Sequence, residues 1–211
     1  MGPIVALLLC TGCGMQSGIL LFHSGLLKSP NVQAEFKLTD GPVLVLVDDF
    51  EEMLESPEAR NLLGQLLSQE LVDKGAVKKI VRPEVVDDLR RKEREFDKRG
   101  CREVGRLAKA DQVVWMRVRD YYAGEEAADR GEAAKITVAV KVINALEEKD
   151  KSKVRLWPAS YDGSQVSVEL TVGEVGRAGT REAIAKALCT KLAGRVAKLF
   201  YDHPMEDFSS Q

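Results

Sequence analysis

Hydrophobic and polar positions follow several rhythms along the chain, and each predicts a different kind of element. After Gly41-Pro42, the run Val-Leu-Val-Leu-Val from Val43 is almost continuously aliphatic, as in a strand buried on both faces. Ser56-Pro57-Glu58 then predicts a helix start, with Ser as N-cap, Pro at the first helical position and an acid in the first turn. Leu62, Leu63, Leu66, Leu67 and Leu71 put an apolar stripe on that helix, and Lys74-Gly75 ends it. A short strand is expected in Ala-Val-Lys-Lys-Ile-Val, from Ala76. A second helix opens at Arg82-Pro83-Glu84, and its charged continuation, Asp87 to Gly100, alternates in sign and reads as a solvated face. A third, short helix covers roughly Arg102 to Lys109.

Beyond Asp111 the period changes to two. The segments from Gln112 to Tyr122, Ala134 to Glu148, Lys153 to Gly163 and Ser164 to Val175 alternate in strand style, with turns rich in Gly, Glu, Asp and Lys. Together they predict an antiparallel meander with one buried face. Thr180 then caps a long Ala- and Leu-rich amphipathic helix that would cover the sheet. The order predicts an α/β fold with a mixed sheet: first strands parallel through a right-handed βαβ crossover, later strands a meander, helices covering both. A single domain over 42–202 is expected, preceded by 1–12 and a linker over 13–41, and followed by a flexible tail at 203–211.

Composition narrows the function classes. With 31 basic and 33 acidic residues in 211, the formal charge is −2, so no broad basic field suits nucleic acid. The apolar stretch before Cys10 is far too short to cross a bilayer, yet long enough for the hydrophobic part of a secretory signal. Within it Cys10 and Cys13 stand at C-x-x-C spacing. A redox pair needs a strand-to-helix junction in a folded α/β domain, and a structural zinc site needs a second ligand pair. The other cysteines, Cys101 and Cys189, are single and read as small buried residues.

Thr11-Gly12-Cys13-Gly14 after the apolar run resembles the lipobox of bacterial lipoproteins, although Cys10 replaces the usual Leu three positions before Cys13 and no Lys or Arg precedes the run. That resemblance implies that 1–12 is a signal peptide and that Cys13 is diacylated and becomes the mature N-terminus, a lipid anchor to the membrane. Gly14, where Asp would retain the protein in the inner membrane, implies the periplasmic face of the outer membrane. The competing reading is an unmodified N-terminal tail.

In the body, Gly105, Ala108, Ala110, Asp111, Val113 and Val114 form the pattern Gly-x-x-Ala-x-Ala-Asp-x-Val-Val. With the preceding strand, Leu-rich helix and Pro-led helix, it resembles small envelope domains: the N-terminal domain of TolB, the curli-secretion lipoprotein and the lipoprotein activators of penicillin-binding proteins. Physically, Gly105 and Ala110 would let helix and strand approach closely, and Asp111 would cap donors at the turn. The resemblance implies a binding module, without the TolB propeller or the membrane-spanning segments of the curli channel.

No H-E-x-x-H, G-x-S-x-G, G-x-x-x-x-G-K-[ST] or G-x-G-x-x-G pattern occurs, so no enzyme and no cofactor are expected. The expectation is a membrane-tethered, non-enzymatic envelope lipoprotein whose partner is another protein or a copy of itself. Tyr121, Tyr122 and Trp157 are candidates for its binding surface, the bland reading being core or cross-strand pairs. Trp115 and Trp157 are expected on strands near each other. The alternative class is an exported ligand-binding or hydrolytic domain that uses Asp48 and Asp49, after the first strand, with a divalent cation. Solvated loop acids beside a helix N-terminus are the bland reading of that pair.

Overall fold

The computed structural model describes residues 31–54, 56–123 and 133–205. Cys13, the 1–12 segment, most of the 13–41 segment and positions 206–211 lie outside the described residues. The described residues fall into two units. In the smaller, β1 (Asn31–Val32) pairs antiparallel with His203–Pro204 at the other end of the chain. The larger, Gln33–Asp202, holds the rest.

In the larger unit, Gln33–Gly41 packs as part of the body. The Phe36 N–H donates to the Leu199 carbonyl at 3.1 Å, Phe36 and Leu38 lie against the main core, and the Thr39 N–H donates to Gln112 Oε1 at 3.0 Å. Next comes β2 (Pro42–Asp48), aliphatic because both faces are covered: Val43 to Val47 are each 5% exposed or less. Helix α1 (Pro57–Asp73) starts at Ser56, whose hydroxyl accepts the Ala59 N–H at 3.2 Å. It ends at Gly75, where φ is +67°. There the Ala76 and Gly75 N–H groups donate to Leu71 and Val72 carbonyls, satisfying the last turn.

The chain continues through β3 (Lys79–Ile80), α2 (Glu84–Lys92), a 3₁₀ turn at Phe96–Lys98 and α3 (Cys101–Leu107). Strands β4 (Gln112–Tyr122) and β5 (Ala134–Asn144) follow, then β6 (Arg155–Trp157), β7 (Ser164–Leu170), α4 (Val172–Ala178) and α5 (Arg181–Ala197). Strand order is β3-β2-β4-β5-β6, with β2 parallel to both β3 and β4, and β5 antiparallel to β4. The fold is therefore α/β with a mixed sheet and a long C-terminal helix. Among the described residues no helix is long and apolar enough to cross a membrane.

Three local expectations change. The later strands are not a simple meander, because β6 and β7 share one edge of β5: β6 takes Val142 and Ile143, and β7 takes Ala134 to Val140. The three-residue β6 leaves most of that edge open, and buried backbone groups require partners. The segment after Leu170 is a helix and not a strand end, since Thr171 and Glu174 form a capping box. Gly173 and Gly176 lie within it, and Gly179 is its left-handed cap. The charged run after α2 is also not simply solvated. Phe96 is buried in the second core, and Arg99 is held between Glu93, at 2.6 Å, and Glu103.

Helices α1 and α5 cover one face of the sheet, sharing a core with Val45, Met116, Val138 and Val168. On the other face α2, the Phe96 turn and α3 bury Leu44, Leu46, Val113 and Ile143, with Trp115 at the margin of this second core. Beyond Trp115 that face bears Arg117 and, past the bulge at Arg119, Asp120 and Tyr122 on β4; Lys135, Thr137 and Lys141 on β5; and Gln165, Ser167 and Glu169 on β7.

Helix α3 stops with a non-glycine residue in the left-handed region. Lys109 has φ of +56°, while the Ala110 and Lys109 N–H groups donate to Gly105 and Arg106 carbonyls. An L side chain is strained there, so Lys109→Gly is expected to raise stability by about 0.5–1 kcal/mol. Urea denaturation measures it; an unchanged or lower midpoint would contradict the strain.

Candidate functional site

At the carboxyl end of β2 lies a cleft of about 470 Å³, lined by Asp48, Asp49, Phe50, Glu52, Arg60, Arg90, Arg99, Trp115 and Arg117 among others. Two of its acids, Asp48 and Asp49, already have donors. Asp48 Oδ2 accepts the Trp115 indole N–H at 3.2 Å. The Asp49 carboxylate accepts the Met53 and Leu54 N–H groups at 2.9 and 3.0 Å, closing the turn that leads into α1. Glu51, just outside the cleft, pairs with Arg117 at 3.0 Å. Asp48 and Asp49 thus act as acceptors that fix the β2–α1 connection and the Trp115 ring. Four guanidinium groups against three carboxylates make the lining a poor cage for a cation. Among the described residues no group of three or more His, Cys, Asp or Glu side chains is placed to hold a metal.

The Gly105–Asp111 motif is a packing device. A Cβ on Gly105 would sit 2.5 Å from Val113 Cγ2 and 2.9 Å from the Ala145 Cβ, so α3 rests directly on β4 and the end of β5. Ala110 is buried in the same cluster. Asp111 works through its backbone: its N–H donates to the Pro42 carbonyl at 2.8 Å, and its carbonyl accepts the Ala145 N–H at 2.9 Å. Its carboxylate lies where a Cβ on Gly41 would be.

The aromatic candidates are not brought together. Tyr121 and Trp157 are packed on the main core, Trp157 edge-on to Phe200 at 6.0 Å and tilted against Phe36 at 6.4 Å. Tyr122 is 40% exposed. Tyr121 pairs with Ile136 and Trp157 with Val142, six positions apart on β5. Trp115 and Trp157 sit on strands that flank β5 on opposite edges, each packed in a different core, so they are not neighbours.

A different group assembles on the part of the sheet's α2 and α3 face that no described element covers, hereafter the uncovered face. Lys141, directly opposite Trp115 in the β4–β5 register, has Nζ 4.9 Å from the Trp115 ring centroid and 5.0 Å from that of Tyr161. The Arg155 guanidinium lies 5.7 Å from the Tyr161 centroid. Tyr161, 81% exposed, is placed by the β6–β7 loop. That loop comes down on Lys141 at Gly163, where φ is +90° and a Cβ would stand 3.2 Å from Lys141 Cγ. Partial burial, then the charges of Arg155 and Arg119, hold the Lys141 ammonium below its ordinary pKa, with Asp162 opposing. The sequence carried one sign of this cluster, the basic residues at outward positions of β4 and β5. Its convergence depends on strand register and on the loop after β6.

Of the cysteines, Cys189 is fully buried, and desolvation pushes its thiol up to about 11. Cys101 is half-buried and also raised, chiefly by burial. Neither has the thiolate character of a nucleophile.

No family model matches the chain, and no curated protein does. Among solved structures, the PelC dodecamer of Paraburkholderia phytofirmans is similar with a TM-score of 0.41 and 14% identity, over 82% of this chain and 96% of that one. A hypothetical protein of Chlamydia trachomatis gives 0.42 and 13%, over 77% and 98%. A lipoprotein of Neisseria meningitidis gives 0.39 and 13%, over 62% and 81%. Likeness at this level carries no function over to the present chain. Its own fold and side chains define an α/β module with a basic, aromatic surface on the uncovered part of its sheet.

Proposed function

We propose that this chain is a membrane-tethered, non-enzymatic lipoprotein of the bacterial envelope, on the periplasmic face of the outer membrane, and that it binds another protein or a copy of itself. The observation that supports binding is the uncovered sheet face, where Trp115, Arg117, Lys141, Arg155 and Tyr161 lie together. Arginine and aromatic residues carry much of the energy of protein interfaces. The tether rests on the sequence around Cys13. The acids that a cation-dependent hydrolase would need are engaged with protein donors.

In the native host, Cys13→Ser is expected to remove labelling by a fatty-acid analogue and to move the protein out of the membrane pellet. Unchanged pelleting of that variant would refute the anchor. Chemical crosslinking of intact cells before pull-down tests the binding, and a defined adduct, with a partner or at a multiple of the chain's own mass, is expected. Recovery of the uncrosslinked chain alone would refute it.

A further inference from the structure

Three cations, Arg119, Lys141 and Arg155, lie on or beside the part of the sheet that no described element covers. Arg119 falls where the β4–β5 register shifts, between Val118 and Asp120, and has no cross-strand partner in the ladder. Such bulges turn side chains away from the regular alternation. Lys141 stands on β5 and Arg155 on β6, so the three lie on three adjacent strands, about 10 Å across the strands and, by register, about 17 Å along them. None of them makes an ion pair with a described residue, whereas the basic residues beside them do. Arg117 pairs with Glu51 at 3.0 Å, and Lys135 with Asp120 and Glu169 at 3.8 and 3.9 Å. Lys141 and Arg155 are gathered around two aromatic rings, one of them largely in solvent, and Arg119 is near enough for its charge to act on Lys141.

We propose that Arg119, Lys141 and Arg155, with the rings of Trp115 and Tyr161, form a docking site for an acidic segment of a partner protein. The proposal rests on the protein-binding reading above and names the chemistry of its partner. Charge complementarity argues for it: the carboxylates of such a segment supply the ion-pair partners that these three cations do not find among the described residues, as complementary potentials do across interfaces. Partial burial and then repulsion from Arg155 and Arg119 weaken proton binding at Lys141, and an anion would offset the repulsion. An extended chain can cross the three adjacent strands. A discrete segment can place its carboxylates between the fringing acids Asp120, Asp162 and Glu169, whereas a continuous anionic lipid surface meets those acids as well. Three unpaired cations are also few for a nucleic-acid backbone, whose binders commonly contact about 6–10 phosphates.

The test uses the full chain purified in detergent and a fluorescein-labelled Glu-Ser repeat peptide, read by fluorescence anisotropy. Saturable binding is expected at low salt, weakening steeply as ionic strength rises. A Lys-Ser repeat peptide is expected to give none. Lys141→Met with Arg155→Gln should weaken the Glu-Ser peptide by more than about tenfold, and Arg119→Gln alone by less. Lys186→Met, exposed on α5, serves as the basic control and should bind as the parent does. The same Lys141→Met, Arg155→Gln protein is expected to melt no lower than the parent, because like charges have been removed. This separates lost binding from lost fold. Equal binding of both peptides, or unchanged binding by the double variant, would overturn the proposal. So would the result that the cluster is needed for sedimentation with phosphatidylglycerol vesicles and not for the peptide. If the peptide fails while a crosslinker at Tyr161 still captures protein, the acidic partner is refuted and the protein-binding reading stands.

Discussion

Gly105→Val is expected to destabilise the fold by at least about 3 kcal/mol, through forced overpacking and a β-branched side chain in a helix. The first new carbon alone would sit 2.5 Å from Val113 Cγ2 and 2.9 Å from the Ala145 Cβ, two buried groups, one on β4 and one just past the end of β5. Neither is the end of a flexible chain, so α3 has to lift away from the sheet. That lift would uncover Val104 and Ala108, which close the second core beside Leu44 and Leu46. Gly105→Ala separates space from backbone effects. Alanine gains about 1 kcal/mol of helix propensity over glycine, yet its overpacking should leave a net loss of about 1–2 kcal/mol. Urea denaturation of both variants measures this. An alanine variant as stable as the parent would mean that α3 does not rest on the sheet as described.

Leu67→Ala is expected to cost about 3–4 kcal/mol, since the side chain is completely buried in the layer between the sheet and the α1 and α5 helices. At roughly 2–4 °C per kcal/mol for a domain of this size, the melting temperature should fall by about 10 °C. Phe50→Ala is the counterpart. That ring is 69% exposed in the β2–α1 connection, and its removal should change stability by less than about 0.5 kcal/mol. Similar losses from both would contradict the assigned core.

These sites divide what the sequence could disclose from what it could not. The β2 strand, the caps of α1 and α5 and the close approach at Gly105 are written in local patterns: an unbroken aliphatic run, Ser56-Pro57, Thr180, and a glycine three residues from an alanine. Helix α4 had its own signal, Thr171-x-x-Glu174, but the alternation of β7 runs straight into it and masked the change of period. The return of β7 to the edge already used by β6 is a long-range pairing, and no local pattern specifies it.

The site was less legible than the fold for the same reason. Asp48 and Asp49 stand out as an acidic pair, and only their hydrogen bonds to the Trp115 indole and to the Met53 and Leu54 amides define their work. Trp157 stands out as an aromatic, and its ring is spent on packing against Phe36 and Phe200. Lys141 does not stand out at all. It gains meaning from Trp115 opposite it on β4, from Arg155 on β6, and from a loop that Gly163 lets settle on its stem.

The most direct test of the uncovered sheet face as the working surface is position-specific photo-crosslinking in living cells. A photoreactive amino acid is placed at Tyr161 on that face in one strain and at Lys186 on the opposite helix layer in another. A discrete crosslinked protein species at position 161, absent at 186, is the expected result. Equal crosslinking at both positions, or none at 161, would contradict it.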